Sequence, residues 1–434
     1  MKVLVIGGGG REHAVAKKLL SGESVDSVYC APGNAGMKRD GITVVSIAQD
    51  NHDALIDLVK SEGIDWTFVG PEIPLFNGIV DDFQAAGLAI YGPTQAATQI
   101  EASKEFAKEL MMKNDIPTGS YRSFDKYEEA CRYVEEGPVP TVIKADGLAA
   151  GKGVVVAETK EEALAALKDM MCDEKFGSEN TRVVIEEYLS GEEFSLMAFV
   201  SGEKVYPMVI SQDHKRLLEG DKGLNTGGMG AYAPVAHIDE SIIDQAVERI
   251  LKPAAKGMVK NGTPFTGILY AGVMATNDGP KTIEFNARFG DPETQVLMNR
   301  LESDLGKAIL AILNNEEPDL EWKTEGVSLG VVVAAAGYPA SYKKQLPLNL
   351  PEENETLQLY FAGVTEKEGE LVSDGGRIYL VEASADTIEE AQEVIYTALD
   401  SVNNPGCVYR KDIGHQAVKP QQIKSTAILN QHTL

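Results

Sequence analysis

A short segment, residues 283–295, carries side chains that could hold a metal ion and an anion together. It reads IEFNARFGDPETQ, and its opening alternation predicts a β-strand. Alternate residues of a strand point to the same side, so Glu284, Asn286 and Arg288 would share one face. Carboxylate and amide oxygens suit Mg²⁺, and arginine pairs with phosphate or carboxylate oxygens. The segment is therefore a candidate metal and anion site, with the solvated side of an amphipathic strand as the alternative.

A glycine-rich loop follows a second predicted strand, which ends in Lys144. Residues 144–153 read KADGLAAGKG, with glycines at Gly147, Gly151 and Gly153. The backbone N–H groups of such a loop can approach phosphates closely, and a lysine at its base supplies a positive charge. The spacing is not that of a Walker A motif. The loop is a candidate phosphate-binding lid, with a plain hairpin connection as the alternative.

A third candidate region combines a strand, a hinge and acidic side chains. Residues 183–193 read VVIEEYLSGEE. A strand followed by a hinge can pair its backbone with the edge of an adenine, and Glu193 could accept hydrogen bonds from ribose hydroxyls. Taken alone, this acidic turn is an ordinary surface feature, and so is Lys104 on its predicted helix.

Four glycines, residues 7–10, follow the first predicted strand and precede Arg11. Exposed N–H groups at a helix N-terminus and the helix dipole favour a phosphate there. A dinucleotide fingerprint needs a third glycine, but Glu12 or His13 occupies that position, which disfavours NAD. The alternative is a tight strand-to-helix turn without a ligand.

The elements that must position these residues alternate strand and helix over the first hundred residues. This rhythm predicts a parallel sheet with crossover helices, whose ligands collect at the carboxyl ends of the strands. Further along, the patterns predict a small α+β lid, antiparallel strands of a larger sheet, and a compact C-terminal α+β unit. We therefore expect an α/β and α+β multidomain chain divided at residues 1–102, 103–325 and 326–420, with the lid at about 120–190 and a polar tail at 421–434.

Composition limits the classes of function. The chain has 434 residues, which at about 150 per domain suggests roughly three domains. Its 40 Lys and Arg against 66 Asp and Glu give a net charge of −26, which disfavours nucleic-acid and membrane-surface partners. The four cysteines form no C-x-x-C pair, as expected in a reducing compartment. We find no secretory or membrane-spanning pattern and expect a cytoplasmic protein.

In their order along the chain, these motifs resemble the ATP-grasp superfamily. The shared pattern is a helix lysine, a strand lysine with a glycine-rich lid, E-x-x-L followed by a further glutamate, and E-x-N-x-R. The chain is more closely similar to the glycinamide ribonucleotide synthetase family, from residue 1 to about residue 420. The runs that carry this similarity are RFGDPETQ, GGGGREH, APGN, GPE, DHKR and NTGGMG.

The resemblance implies an ATP-grasp fold with an N-terminal pre-ATP-grasp domain, and a ligase of de novo purine synthesis that forms a C–N bond. That family joins glycine to 5-phosphoribosylamine through a glycyl phosphate, and cleaves ATP to ADP and phosphate. The resemblance also implies Mg²⁺ or Mn²⁺ as cofactor, ATP as co-substrate, and only small-molecule partners. It implies a monomer, with at most transient contact with the preceding enzyme.

The resemblance further implies roles for individual residues. ATP would be bound by Lys104, Lys144, Gly147, Gly151, Gly153, Glu186, Tyr188, Leu189 and Glu193. The metal would be held by Glu284 and Asn286. The catalytic groups would be Arg288, Lys144, Asp213 and Lys215. Glycine and phosphoribosylamine would contact Gly8, Gly9, Gly10, Arg11, Asn34, Pro71, Glu72, Asp213, Gly228, Gly230, Arg288, Asp291 and Pro292.

One departure and two alternatives accompany this interpretation. Many ATP-grasp enzymes carry a further metal-binding carboxylate on the preceding strand, but residues 270–276 offer none. Glu284 would then bridge two ions, or hold one. The first alternative is another ATP-grasp ligase with a different carboxylate or amine, and the second is a nucleotide-binding regulatory module without turnover.

Overall fold

The structure, a computed structural model, describes residues 1–146, 153–172 and 182–418. The predicted loop residues Gly147 and Gly151 lie outside these ranges, as does the expected tail at 421–434. Gly153 lies inside them.

The N-terminal part of the chain folds as a parallel sheet flanked by helices. Its elements are β1 (Lys2–Gly7), α1 (Gly10–Ser21), β2 (Ser27–Pro32), β3 (Thr43–Val44), α2 (His52–Glu62), β4 (Trp66–Val69), α3 (Glu72–Phe76), α4 (Ile79–Ala85) and β5 (Ile90–Tyr91), with a 3-10 helix at Ala35–Asp40. The strand order is β3-β2-β1-β4-β5, and every pair is parallel. The apolar run at residues 3–6 is fully buried, as expected for a strand covered on both faces. The predicted parallel sheet is confirmed.

A small antiparallel sheet with two helices follows a helical connection. The elements are α5 (Gln99–Ala102), α6 (Lys104–Lys113), β6 (Tyr121–Phe124), α7 (Tyr127–Glu136), β7 (Thr141–Ala145), β8 (Val154–Ala157), α8 (Lys160–Met171) and β9 (Val183–Glu187). The strand order is β6-β9-β7-β8. Phe124, Ile143 and Leu167 belong to an apolar cluster of this unit alone. The unit therefore has its own core at the place where the lid is expected.

A second antiparallel sheet lies at the centre of the chain. Its strands and neighbouring helices are β10 (Glu192–Ser201), β11 (Lys204–Pro207), α9 (Glu240–Ala246), α10 (Lys252–Lys260), β16 (Thr266–Thr276), β17 (Gly279–Asn286), α11 (Glu293–Met298) and α12 (Leu305–Leu313), with a π-helix at Val247–Leu251 between α9 and α10. The order is β11-β10-β16-β17, and β10 pairs with β16 along its whole length. This pairing matches the antiparallel strands that the sequence predicts.

The C-terminal sheet combines strands from two distant parts of the chain. Its elements and the adjoining hairpins are β12 (Gln212–Asp213), β13 (Arg216–Leu218), β14 (Lys222–Asn225), β15 (Gly230–Ala233), β18 (Val327–Ala335), β19 (Leu357–Phe361), β20 (Val364–Lys367), β21 (Glu370–Ser373), β22 (Arg377–Ala385), α13 (Ile388–Asp400), β23 (Cys407–Val408) and α14 (His415–Val418). The order is β12-β15-β18-β22-β19, with β23 also on β18. All four residues of β15 are buried against β18. The predicted C-terminal strands thus share their sheet with β12 and β15, which come from the middle of the chain.

One continuous apolar core joins the N-terminal, central and C-terminal parts. It includes Val3 of β1, Phe199 of β10 and Val331 of β18. The ring of Phe289 lies 5.9 Å from that of Phe68 and 6.1 Å from that of Phe199, measured between centroids. The loop after β17 therefore packs between the N-terminal sheet and the central sheet. Within the described ranges, every helix is too short or too polar to cross a bilayer.

A buried carboxyl in the C-terminal sheet leads to a prediction about stability. Glu382 of β22 is 1% exposed and accepts hydrogen bonds from Ser328 over 2.6 Å and from Ser384 over 2.8 Å. Burial raises its pKa from 4.5 to about 7, against the effect of the two serines. In the unfolded chain this carboxyl loses its proton near pH 4.5, whereas in the folded chain it keeps the proton up to about pH 7. Between these pH values the folded chain binds more protons than the unfolded chain, so the free energy of unfolding falls as pH rises. Glu382→Gln should be more stable than the parent by about 3 kcal/mol at pH 8, and equal to it near pH 4.5.

Urea unfolding at the two pH values measures this difference. Glu370→Gln, at the exposed first position of β21, is the matched control and should show no pH-dependent gain. Equal gains for Glu382→Gln at both pH values would contradict the expected titration.

Candidate active site

A cavity of about 1560 Å³ opens where the four parts of the chain meet. Its wall includes Arg11 from the N-terminal sheet, Lys144 from the lid, Glu284 from the central sheet and Arg377 from the C-terminal sheet. A space of this size can hold a nucleotide together with smaller molecules.

Glu284, Asn286 and Arg288 all line this cavity. β17 ends at Asn286, so Arg288 lies just beyond the strand. Burial would raise the pKa of Glu284, but four nearby cations outweigh it and lower that pKa; they are Lys215, Lys144, Lys104 and Arg288. Glu284 is therefore an ionised carboxylate at neutral pH.

The donor set at Glu284 and Asn286 fits a magnesium-type ion that also binds phosphate. Within the described ranges, no group of three or more His, Cys, Asp or Glu side chains is arranged to hold a metal ion. On β17, the oxygen donors that line the cavity are the carboxylate of Glu284 and the amide of Asn286. Mg²⁺ in proteins is commonly held by one or two such groups, with phosphate oxygens and water completing the shell.

Two carboxylates from other elements hold the guanidinium of Arg288. Its Nη2 lies 3.0 Å from Glu101 Oε1, and its Nε lies 3.4 Å from Glu72 Oε2. Glu101 also accepts a hydrogen bond from the backbone N–H of Ala287 over 2.7 Å. The arginine is therefore fixed by carboxylates of α5 and α3, and not by β17.

The lid side of the cavity carries most of the residues predicted to bind ATP. Lys144 donates to Glu186 over 2.9 Å and to the carbonyl oxygen of Ile283 over 3.1 Å. Glu193 is paired with Lys215. The cavity wall here also includes Lys104, Gly153, Tyr188 and Leu189.

A second group of acidic side chains lies beside Lys215. Burial raises the pKa of Asp213 well above its ordinary value, against the ammonium of Lys215 and with help from Glu293. Tyr270 donates to Glu293 over 2.9 Å. Although burial opposes it, Glu193 and Asp213 raise the pKa of Lys215 well above its ordinary value. The ammonium of Lys215 is therefore charged, and it lies beside the carboxyl of Asp213. A further cation bound at this corner would favour the ionised form of Asp213.

The N-terminal glycine loop meets protein groups where the sequence predicts a phosphate. The backbone N–H of Gly9 donates to Glu12 over 2.7 Å, and that of Arg11 donates to Asp291 over 3.2 Å. Arg11 is the member of this loop that lines the cavity; Gly8, Gly9 and Gly10 are not on its wall. Two carboxylates thus lie at the N-terminus of α1.

Other residues predicted to touch substrate shape the loops. The amide of Asn34 donates to the carbonyl oxygens of Gly8 and Phe361 over 2.8 and 2.9 Å. A Cβ on Gly228 would lie 2.4 Å from Pro292 Cδ, and one on Gly230 would lie 2.6 Å from the carbonyl oxygen of Gly330. Asn34, Pro71, Gly228, Gly230 and Pro292 are not on the cavity wall, whereas Glu72 and Asp291 are.

Several wall residues carry no signal in the sequence. Arg377 donates through Nη1 to the carbonyl oxygens of Gly227 and Asp291, over 2.9 and 2.8 Å. It joins two loops of the site from the C-terminal sheet. Glu101 and Lys108 line the wall as well. Glu101 belongs to the four-residue helix α5 and Arg377 to the start of β22, and neither element carries a motif. Lys108 lies on the same helix as Lys104 but is not part of the recognised pattern, so only the tertiary fold identifies it.

Family models of phosphoribosylglycinamide synthetase match nearly the whole chain in three consecutive pieces. The N domain model matches residues 1–101, the ATP-grasp (A) domain model residues 102–294, and the C domain model residues 328–416. The curated phosphoribosylamine–glycine ligase of Listeria innocua serovar 6a is 55% identical over 419 residues, which is 96% of this chain and 100% of that relative.

Solved structures show the same similarity. The phosphoribosylamine–glycine ligase of Thermotoga maritima matches with a TM-score of 0.85 and 34% identity, covering 95% of this chain and 100% of that one. The biotin carboxylase domain of a 2-oxoglutarate carboxylase from Hydrogenobacter thermophilus, solved with MgADP and bicarbonate, matches with a TM-score of 0.72 over 94% of this chain and 91% of that one. At 16% identity, that second match shows the fold alone. The predicted ATP-grasp architecture is confirmed.

Proposed function

The chain belongs to the phosphoribosylglycinamide synthetase family, and we propose that its cavity joins glycine to 5-phosphoribosylamine with cleavage of ATP to ADP and phosphate. It is thus a C–N ligase of purine biosynthesis. The observation that carries the proposal is the shared cavity, which brings Lys104, Lys144, Glu284 and Arg288 together with Glu72 of the N-terminal domain.

The reaction needs an activated carboxylate, because a free carboxylate is a poor electrophile. A carboxylate oxygen of glycine attacks the γ-phosphorus of ATP, which forms a C–O–P bond and releases ADP. The amine of phosphoribosylamine then attacks the carbonyl carbon, a C–N bond forms, phosphate leaves and the amine loses a proton. Both steps concentrate negative charge, so the site must supply cations in fixed positions.

The lid side supplies the nucleotide site in this proposal. The adenine lies against Glu186, Tyr188 and Leu189, and the ribose hydroxyls against Glu193. Lys104 and Lys144 neutralise the phosphates. All of these residues line one side of the cavity, which supports the assignment.

Glu284 and Asn286 would hold Mg²⁺ or Mn²⁺ at the phosphate end of this site. When bound, such an ion supplies positive charge against the phosphate oxygens. The lowered pKa of Glu284 supports the assignment, because it keeps the carboxylate ionised.

Glycine and phosphoribosylamine bind to the parts of the cavity wall outside the nucleotide site. The ammonium of glycine pairs with Asp213, and Lys215 faces its carboxylate. Phosphoribosylamine lies between Glu72, Asp291 and Arg288, with Arg11 as the N-terminal cation for its phosphate. The proposal includes only small-molecule partners, a monomeric chain and a cytoplasmic location; the net charge of −26 opposes binding to nucleic acid.

Asp213→Asn tests the glycine assignment. The amide cannot pair with an ammonium as a carboxylate does, so we expect KM for glycine to rise about 30-fold, since hydrogen bonds to charged groups contribute about 2 kcal/mol. KM for ATP should change less than about threefold. Steady-state kinetics with each substrate varied in turn measure both values. Asp244→Asn on the exposed face of α9 is the matched control. An unchanged KM for glycine would place the amino acid elsewhere.

ADP formation under omission of single substrates tests the function itself. The purified chain is incubated with Mg-ATP, glycine and phosphoribosylamine formed in place from ribose 5-phosphate and ammonia. We expect ADP only with all three present, together with a product of the mass of glycinamide ribonucleotide. ADP formation without the ribosylamine, or faster ADP formation with a different amine, would support a different ATP-grasp ligase. ATP binding without ADP formation would support a regulatory module.

A further inference from the structure

Lys108 is a buried ammonium group to which the proposed reaction gives no role. It lies one turn after Lys104 on α6, so both lysines project from the same face of the helix. Lys108 is 2% exposed and lines the nucleotide side of the cavity. Its Nζ donates to Thr118 Oγ1 over 2.8 Å, and Thr118 donates in turn to the carbonyl oxygen of Thr282 over 2.8 Å. This fixed position calls for an explanation, because lysines are seldom fully buried.

Lys108 shares its charged partner with Lys144. Nζ of Lys108 lies 3.3 Å from Glu186 Oε2, and Nζ of Lys144 lies 2.9 Å from the same oxygen. Two ammonium groups therefore face one buried carboxylate. Removing the last partner of a buried charge is strongly destabilising. Glu186 must therefore keep at least one of the two lysines.

Lys144 cannot serve Glu186 and the nucleotide equally well. In the structure it is held by Glu186 and by the carbonyl oxygen of Ile283. If it were the only partner of Glu186, turning toward a phosphate would leave that carboxylate unpaired. We propose that Lys108 is a positioning residue that keeps Glu186 paired and in place, so that Lys144 is free to bind the phosphates of a nucleoside triphosphate. This inference rests on the proposed nucleotide site.

The surroundings of Lys108 make its charge depend on pH near neutrality. Burial lowers its pKa to about 8, with Glu186 opposing the shift and Lys144 adding to it. The ring of Tyr121 on β6 lies 5.2 Å from its Nζ, and Lys104 lies on the same helix face. Raising the pH from about 7 to about 9 should therefore weaken nucleotide binding. Lys108→Arg, which stays charged, should show a smaller decline.

A double-mutant cycle tests the inference through binding. The readout is the Kd of a non-hydrolysable ATP analogue with Mg²⁺, measured by calorimetry. We expect Lys108→Met to raise Kd about tenfold, as losing one charge-assisted contact would. Lys144→Met should raise Kd by a similar factor in the parent chain. In the Lys108→Met background it should add less than about twofold, because Lys144 is already tied to Glu186.

A second cycle examines the carboxylate directly. In a Glu186→Gln background there is no charge to hold Lys144, so Lys108→Met should no longer change Kd. Lys113→Met is the matched control, because Lys113 lies on the same helix with its ammonium exposed and paired to Glu109 over 3.1 Å. Its Kd should equal that of the parent. Lys108→Gln, which keeps a donor for Thr118, is measured alongside in case Lys108→Met unfolds.

The outcomes separate this inference from the function on which it rests. Additive losses for Lys108→Met and Lys144→Met would overturn it, and so would an unchanged Kd for both Lys108→Met and Lys108→Gln. A parent chain that does not bind the analogue, or a Lys144→Met variant that binds normally, would overturn the nucleotide site itself.

Discussion

Glu284→Gln is expected to lower kcat by a factor on the order of 10³ while the chain still unfolds cooperatively. The amide keeps the shape of the side chain but removes the ionised oxygen that we propose as the main metal ligand. Turnover should stay low at millimolar Mg²⁺, because the lost charge cannot be replaced by mass action. Steady-state ADP formation across a Mg²⁺ titration measures this effect.

The same substitution has a predictable effect on stability. Nearby cations lower the pKa of Glu284, so its ionised form stabilises the fold at neutral pH, and this stabilisation is lost as pH falls through the lowered pKa. The variant should therefore melt a few degrees lower at about pH 7, with a smaller deficit at about pH 4. Glu248→Gln, at an exposed helical position, is the control for a charge lost elsewhere. Near-normal turnover of Glu284→Gln would remove this residue from the metal site.

Arg288→Met is expected to affect activity and stability together. Activity should fall by about 10²- to 10³-fold, because we propose that the guanidinium is one of the cations that stabilise the negative charge of the reacting groups. The free energy of unfolding should fall by about 3 kcal/mol, because the substitution leaves Glu101, whose carboxylate lies 3.0 Å from Arg288, without its cationic partner. Activity assays and urea unfolding measure the two effects.

A second substitution separates the two roles of Arg288. Adding Glu101→Gln removes the unpaired charge, so the double variant should recover most of the stability and none of the activity. Arg288→Lys should recover part of both, since lysine keeps the charge without the planar fork. Recovery of activity in the double variant would show that Arg288 only supports the fold.

Local patterns in the sequence predict part of the site. The alternation at residues 283–288 places Glu284, Asn286 and Arg288 together, and the structure brings all three to the cavity. Their catalytic roles stay predictions. The parallel sheet follows from the alternation of short apolar strands with helices over the first hundred residues, which is a local pattern as well.

Other features depend on contacts between distant residues, which local patterns do not encode. Glu101 meets Arg288, and Lys108 meets Glu186, because separate helices pack on the central sheet and the lid. The loop at residues 8–11 illustrates the same limit. Its glycines predict an anion site, but Asp291 from another domain accepts a hydrogen bond from one of its N–H groups.

The mixed origin of the C-terminal sheet restricts how this family can recombine. On one side β15 pairs with β12, and on the other it pairs with β18, although nearly a hundred residues separate β15 from β18 along the chain. A chimera that exchanged only the segment after residue 325 would join two strands of one parent's sheet, β12 and β15, to the four C-terminal strands of another's. The buried side chains of these two sets of strands would then have to pack together, although they come from different parents and were not selected as a pair. Crossovers before β12 would carry all six strands of this sheet together and should yield folded hybrids more often.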